Sequence, residues 1–310
     1  MGFESIRHRL EMGRPLVVDA DPGASFGARG VALDSPGTLG GLLRERPADV
    51  LAHYRAEVQS RVDVLCALTA DTTPRALAEI GMQHRAALLT SRAVDLAFEA
   101  SYEANKPVAV AGVLGSEMVS PMAADRLHGE LVEHAARLAA AGCELILARG
   151  QGSRLGLMAA VVAAAGTDLP TWAIVECLPS GDVSTSGALG PLLESLQEAG
   201  ASAVLFEVSA MDQALELLDR ALPVLAGGTL APGILLAAGA QSVRGFPDLE
   251  SDPDPWAQRA LELDAHGARV IGGGAGTTEG HTASLARALG SLHPSLPITR
   301  SDTEIDPLAG

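Results

Sequence analysis

The 310-residue chain contains few aromatic residues and few positive charges. Aromatic residues make up 3% and hydrophobic residues 47%, so a large core must be built from Ala, Val, Leu and Ile. The net charge is -16 at pH 7, and no cluster of Lys or Arg offsets it. Nucleic acids and anionic membrane surfaces both require a basic patch, so neither is expected as a partner. The partner that we expect is a small-molecule ligand.

Cysteine is also scarce, and Cys66, Cys143 and Cys177 lie far apart in the sequence. Their spacing matches no close metal-binding motif, and a sparse, odd set of thiols is typical of a reducing compartment. The N-terminus lacks a basic stretch followed by an apolar run, so no signal peptide is predicted. No apolar run approaches the ~20 residues of a membrane span. We therefore predict a cytoplasmic protein.

One pattern recurs along the chain: an Ala/Leu-rich helical stretch ends at a glycine, and a short apolar run follows. The pattern occurs at Gly142, Gly200 and Gly267. Glycine supplies the left-handed residue that ends many helices. An uninterrupted apolar run is typical of a strand buried on both faces of a parallel sheet. The repeat therefore predicts β–α units joined by right-handed connections.

Eight such apolar runs are present, which is the number that a closed (β/α)8 barrel requires. They are Leu16–Asp19, Val62–Ala67, Pro107–Gly112, Glu144–Ala148, Thr171–Glu176, Ala203–Glu207, Gly233–Ala237 and Arg269–Gly272. Helices are predicted at Asp125–Ala141 and Met211–Leu222, and a loop at Ser242–Asp254. We predict a single α/β domain with the TIM-barrel fold over residues 1–310, in which residues 301–310 form a flexible acidic tail. An open doubly wound sheet is the alternative, and it would leave strands unused.

Two segments resemble the homocysteine S-methyltransferase family. Asp19–Gly30 matches without gaps the family's first loop, which reads like DGGMGTELxxRG, and agrees with it at both ends and at Gly23 and Arg29. Arg269–His281 is similar to the last strand and loop, where the family reads GGCCGT and usually continues with a Pro and a His. Weaker similarity is spread over nearly the whole chain. The resemblance implies the same barrel and, where the chain is active, a transferase that moves methyl groups.

The resemblance also locates the family's zinc site on this sequence. Relatives bind zinc through three cysteine thiolates, and the zinc ionises the homocysteine thiol, which is otherwise mostly protonated at neutral pH. The corresponding positions here are Ser209, Gly274 and Ala275, none of which carries a thiol. A glutamate that helps to hold homocysteine corresponds to Arg149, which reverses the charge. No cofactor is therefore predicted, and zinc is not expected.

The candidate substrate-binding residues follow predicted strands, at the barrel end where active sites form. They are Asp19, Asp21, Arg149, Glu176, Glu207, Ser209, Gly273, Gly274 and His281. Asp19 and Asp21 face the same side if the strand continues through both. Two interpretations of Arg149 are open. It binds an anionic substrate group while a carboxylate acts as a base or holds a hard cation, or it pairs internally with Glu176 or Glu207.

Three smaller questions concern His281, the cysteines and the glycine run. A helix-capping or packing role is favoured for His281, which lies beside a predicted helix start. A zinc site rebuilt from Cys66, Cys177 and His281 is a less favoured alternative, and Cys143 is expected at the opposite face of the barrel. The run Gly272–Gly274 is compatible with an anion-binding nest, although no Walker lysine accompanies it.

For function we expect a divergent, zinc-independent relative of the homocysteine methyltransferases. It transfers a methyl group to, or binds, a small molecule other than zinc-activated homocysteine. One alternative is a non-catalytic binding or regulatory pseudoenzyme whose barrel mouth is filled by salt bridges. Another is an enzyme that acts on a small anionic substrate through carboxylates and Arg149. The sequence identifies no catalytic residue, and the resemblance leaves a homo-oligomer open.

Overall fold

The computed structural model describes residues 2–115, 124–150, 153–177, 189–239 and 251–293. Within these ranges eight parallel strands close into a barrel in sequence order, and the first strand pairs with the last. The strands are β1 (Leu16–Val18), β2 (Val64–Ala67), β3 (Ala109–Leu114), β4 (Leu145–Arg149), β5 (Thr171–Glu176), β6 (Ala201–Val208), β7 (Ala231–Leu236) and β8 (Val270–Gly273). The predicted (β/α)8 barrel is confirmed, and its closure excludes the open doubly wound sheet.

Helices surround the barrel. They are α1 (Gly2–Glu11), α2 (Pro22–Ala28), α3 (Thr38–Glu45), α4 (Pro47–Gln59), α5 (Pro74–Ala78), α6 (Ala86–Ser101), α7 (Ala124–Ala140), α8 (Arg154–Ala165), α9 (Leu189–Glu198), α10 (Met211–Leu225), α11 (Pro253–Ala265) and α12 (Glu279–Leu292). The glycines that end the helices before β4, β6 and β8 have φ values of +92, +98 and +98°, as the repeat predicts. No helix in the described part of the chain is long and apolar enough to cross a membrane.

Two helix boundaries differ from the sequence prediction. The α10 helix continues through Pro223 and ends at Leu225, so the proline lies in its last turn. The predicted loop at Ser242–Asp254 is wrong at its end, because α11 begins at Pro253 with the Asp252 side chain as its cap. Proline suits the first helical position, where its missing N–H costs nothing. The rest of that loop and the predicted tail at 301–310 lie outside the described residues.

The barrel interior is filled by side chains from alternate positions of the strands. They form a closed apolar cluster that includes Leu16, Val18, Val64, Ala109, Ala111, Leu145, Leu147, Trp172, Ile174, Ala203, Leu205, Leu235 and Val270. Ile6 of α1 packs into the same cluster. A larger apolar cluster lies between the strands and the outer helices. Because inward positions alternate, the residues two places after Leu147, Ile174 and Leu205 form the next layer toward the carboxyl ends of the strands.

Candidate functional site

That next layer is an ion-pair cluster of Arg149, Glu176 and Glu207. The Nη2 atom of Arg149 donates to Glu207 Oε2, and its Nε atom lies 3.6 Å from Glu176 Oε1. Glu176 and Glu207 are paired in register on β5 and β6. The exposed fractions of the three side chains are 21%, 16% and 22% in that order. The internal pairing of Arg149 is therefore confirmed, and it involves both carboxylates.

Asp19 lies beside this layer and is 5% exposed. The main-chain N–H of Cys66 donates to its Oδ2 atom at 2.8 Å. Burial raises the pKa of Asp19 to about 6, against the opposing effect of the bonds from Cys66. Burial and the adjacent carboxyl group raise the pKa of the Cys66 thiol well above its ordinary value. A protonated thiol is a poor nucleophile and a poor metal ligand.

Asp21 lies outside strand β1 and serves another purpose. The strand ends at Val18, so the condition under which Asp19 and Asp21 would face the same side is not met. Asp21 caps α2, and its Oδ1 atom accepts from Gly23 N at 2.8 Å. Its Oδ2 atom accepts from Gly276 N at 3.1 Å. A carboxylate of the chain itself therefore occupies one N–H group of the glycine-rich loop, which weakens the case for a phosphate nest there.

Ser209 and Gly274 lie at the same level of the barrel, one residue beyond the paired ends of β6 and β8. Ala237 N donates to Val208 O at 3.0 Å, and Gly274 N donates to Leu236 O at 2.8 Å. Within the ranges that the structure describes, the buried Ser209 Oγ atom has no hydrogen-bond partner. Ser209 and Gly274 therefore both lie at the carboxyl end of the barrel, at its mouth.

Positions 273 and 274 leave little space for any side chain larger than that of glycine. A Cβ atom on Gly273 would lie 2.2 Å from Thr277 Oγ1. A Cβ atom on Gly274 would lie 3.0 Å from Ala237 N and 3.1 Å from Leu235 O, so a larger residue there requires β7 to shift. Ala275 is exposed.

The side chains at this mouth do not fit a thiolate zinc site. Ser209, Gly274 and Ala275 offer no thiol, and the Cys177 thiol donates to Val175 O at 3.4 Å. Cys143 lies just before β4, at the amino end of the barrel, as predicted. Among the residues with described positions, Cys66, Cys177 and His281 do not gather around a common point as metal ligands would. The described residues therefore gather no set of thiolates at this mouth.

His281 has the capping and packing role that the sequence favoured. It is the third residue of α12, and its Nδ1 atom accepts from Thr278 N at 3.1 Å in a capping box. Its ring packs edge-on against Trp256, with centroids 5.2 Å apart. Burial lowers its pKa.

A cavity of about 240 Å³ lies beside the mouth, next to the carboxyl ends of β3 and β4. Its lining includes Arg75, His134, Arg137 and Arg149. Arg75 pairs with Glu130 at 3.2 Å and Arg137 pairs with Glu133, and because both glutamates also line the cavity, much of its positive charge is offset. The cavity is large enough for a small ligand group.

Three residues that sequence reasoning missed, His53, Glu57 and Glu279, also come together: one potential ligand atom of each lies within 4.8 Å of the others. The first two are spaced one helical turn apart, and this spacing was the available signal. Glu279 is more than two hundred positions away in the sequence, so only the closed barrel brings it to them.

The fold and the polar mouth define a (β/α)8-barrel protein whose candidate site lies at the carboxyl ends of its strands. The sequence model of the family described as homocysteine S-methyltransferase matches residues 23–289. The chain belongs to the homocysteine S-methyltransferase family.

Solved structures agree with this assignment at the level of the fold. The metallated form of homocysteine methyltransferase MmuM from Escherichia coli has a TM-score of 0.74 at 18% identity, over 91% of this chain and 99% of that chain. The apo form of the same enzyme has a TM-score of 0.69 at 18% identity, over 90% and 97% of the two chains. None of the curated proteins compared with this chain matches it significantly.

Proposed function

We propose that this chain is a zinc-independent member of its family, which transfers a methyl group to, or binds, a small molecule other than zinc-activated homocysteine. The observation that carries the proposal is the chemistry at Ser209, Gly274 and Ala275. These residues stand at the positions that correspond to the family's zinc ligands, and none of them can supply a thiolate.

Among the residues that the structure describes, the rest of the mouth supplies no replacement for a metal that activates a thiol. A free thiol has a pKa of ~8.5 and is mostly protonated at neutral pH. Glu176 and Glu207 are held by Arg149. Asp19, with a pKa raised to about 6, is a weak base for a thiol. A ligand that needs no ionised thiol therefore suits this mouth better than homocysteine does.

The charge balance of the ion-pair cluster favours ligands without net negative charge. Glu176 and Glu207 carry two negative charges against the single positive charge of Arg149, so the cluster is formally negative. An anion entering the mouth would have to displace one of these carboxylates from the guanidinium. A neutral or cationic molecule would meet no such competition.

The test combines thermal-shift measurements with a methyltransferase assay on protein prepared with and without chelation. The thermal-shift series contains homocysteine, other thiols, betaines, folates and small carboxylic acids. We expect neutral or cationic compounds to raise the Tm without added zinc, and Glu176→Gln to weaken that effect. Methylation of homocysteine that is lost on chelation and restored by zinc would contradict the proposal.

The arginine-lined cavity favours a second candidate, an enzyme that acts on a small anionic substrate. Arg75, Arg137 and Arg149 line this space, and guanidinium groups match carboxylate and phosphate geometry. A small acid that raises the Tm of the wild-type protein, but not that of Arg137→Gln, would favour this candidate over the first.

A further inference from the structure

Helix α4 carries a buried histidine and a buried glutamate on one face. His53 and Glu57 are one turn apart, and they are 1% and 0% exposed. Residues with this spacing lie one above the other on a helix. Phe26 of α2 packs against the His53 ring at a centroid distance of 5.1 Å. A carboxyl group buried this deeply normally has a charged or hydrogen-bonding partner.

A second carboxylate reaches the pair from the far end of the chain. Glu279 is the first residue of α12, and its carboxylate accepts from Ser25 Oγ at 2.8 Å and pairs with Arg29. Its main-chain oxygen accepts from Ser60 Oγ, just after α4, at 3.0 Å. These contacts fix Glu279 relative to α4. One potential ligand atom from each of His53, Glu57 and Glu279 lies within 4.8 Å of the others.

Two atoms of this cluster are buried without hydrogen-bond partners among the described residues. They are His53 Nδ1 and Glu57 Oε2. The other oxygen of Glu57 accepts only a long bond of 3.4 Å from Ala20 N. The Thr282 hydroxyl lies nearby but does not hydrogen-bond Oε2. Buried polar atoms without partners are costly. Two of them belong to a cluster whose potential ligand atoms lie within 4.8 Å of one another, which points to a bound ligand.

The donor atoms of the cluster suit a cation. His53 offers an imidazole nitrogen, and Glu57 and Glu279 offer carboxylate oxygens, which are the donor types that bind divalent transition metals. A metal binds the neutral imidazole and the ionised carboxyl group, so binding displaces any proton that these groups carry. Arg29 offsets part of the charge of Glu279, and Glu57 supplies the second carboxylate that compensates a bound ion.

We propose that His53, Glu57 and Glu279 bind a divalent transition-metal ion between α4 and α12. One imidazole nitrogen and two carboxylate oxygens suit Zn²⁺ or Mn²⁺, whereas Mg²⁺ and Ca²⁺ prefer sites made of oxygen alone. Helix α4 follows β1 and α12 follows β8. The ion therefore joins the first and last units of the barrel, where β1 and β8 close the sheet.

The experiment uses the full chain after chelation and dialysis. Calorimetric titration with Mn²⁺, Zn²⁺ and Mg²⁺ should show one Mn²⁺ or Zn²⁺ ion per chain, with Mg²⁺ much weaker, and the bound ion should raise the Tm. Glu57→Gln keeps the size of the side chain and removes its charge. It should weaken binding by more than the ~10–100-fold that loss of an outer-shell partner costs.

Two further variants and a spectrum locate the ion. His53→Gln should lose binding as Glu57→Gln does, while Cys66→Ser should bind like the wild type. The absorption spectrum of the Co²⁺ form should lack thiolate-to-metal charge transfer, because no cysteine belongs to the site. Arg29→Gln should tighten binding, since it frees Glu279 from a competing cation.

Three results would overturn the proposal: no stoichiometric binding to the wild-type chain, unchanged binding in both Glu57→Gln and His53→Gln, or a thiolate band in the Co²⁺ spectrum. Stabilisation of Glu57→Gln without any metal binding to the wild type would show that Glu57 is simply a protonated carboxyl group. Failure of the proposed function can be distinguished from failure of this metal site. Zinc-dependent methylation of homocysteine that survives in Glu57→Gln would contradict that function and leave the α4–α12 site intact.

Discussion

Replacing Arg149 with methionine should destabilise the barrel by about 2–4 kcal/mol at pH 7. The change removes the cation between two carboxylates that lie in register on β5 and β6. At the 3.6 Å that separates Arg149 Nε from Glu176 Oε1, an effective dielectric constant of ~20 gives about 4–5 kcal/mol of Coulomb energy. The side chains are about one-fifth exposed, so solvent screening lowers this value. Repulsion between Glu176 and Glu207 then adds to the cost.

Urea unfolding measures this effect through circular dichroism and tryptophan fluorescence, because Trp172 and Trp256 are both buried. The midpoint should fall while the slope m stays constant, because the surface exposed on unfolding does not change. Arg55→Met is the matched control. It breaks the exposed pair with Glu103, and pairs of that kind contribute little.

A triple variant separates the loss of charge compensation from the loss of packing. Combining Arg149→Met with Glu176→Gln and Glu207→Gln should recover most of the stability, because replacing a whole buried ion cluster by neutral groups is often nearly neutral. The reasoning is refuted if Arg149→Met stays within about 0.5 kcal/mol of the wild type, or if the triple variant is no more stable than the single one.

Two other predictions concern buried His134 and the loop after β8. Burial lowers the pKa of His134 to about 4 from 6.5, so the unfolded chain binds more protons between these values and the wild type loses stability as the pH falls from about 6.5 to 4. Between these pH values, the free energy of unfolding of His134→Gln, measured with urea, should fall by up to about 3 kcal/mol less than that of the wild type. An equally steep fall in both proteins as the pH is lowered would contradict this prediction. Gly276→Ala should lower the Tm at a cost of roughly 1–3 kcal/mol, because φ is +83° and a Cβ atom would lie 2.1 Å from Ala238 O. Gly290→Ala, in an open helical position, is the control that should not lower the Tm, and an equal loss in both variants would count against the strain argument.

The fold could be predicted because its signals are local and repeated. Each strand is a short apolar run, three of them follow a helix-ending glycine, and a shift of one or two residues at a strand's ends leaves the topology unchanged. The errors fell at prolines. Pro223 lies in the last turn of a helix and Pro253 begins one. Proline marks a helix boundary in sequence, but only the structure shows on which side of the boundary the residue lies.

The candidate site was predictable where strand alternation determines it and unpredictable elsewhere. Arg149, Glu176 and Glu207 follow inward-facing apolar residues by two positions, so their convergence is a consequence of the pleat. Asp21 belongs to a turn, where alternation no longer applies, and its contact with Gly276 depends on how two loops approach. The cluster around Glu57 forms only when the barrel closes, because closure brings Glu279 of α12 next to α4.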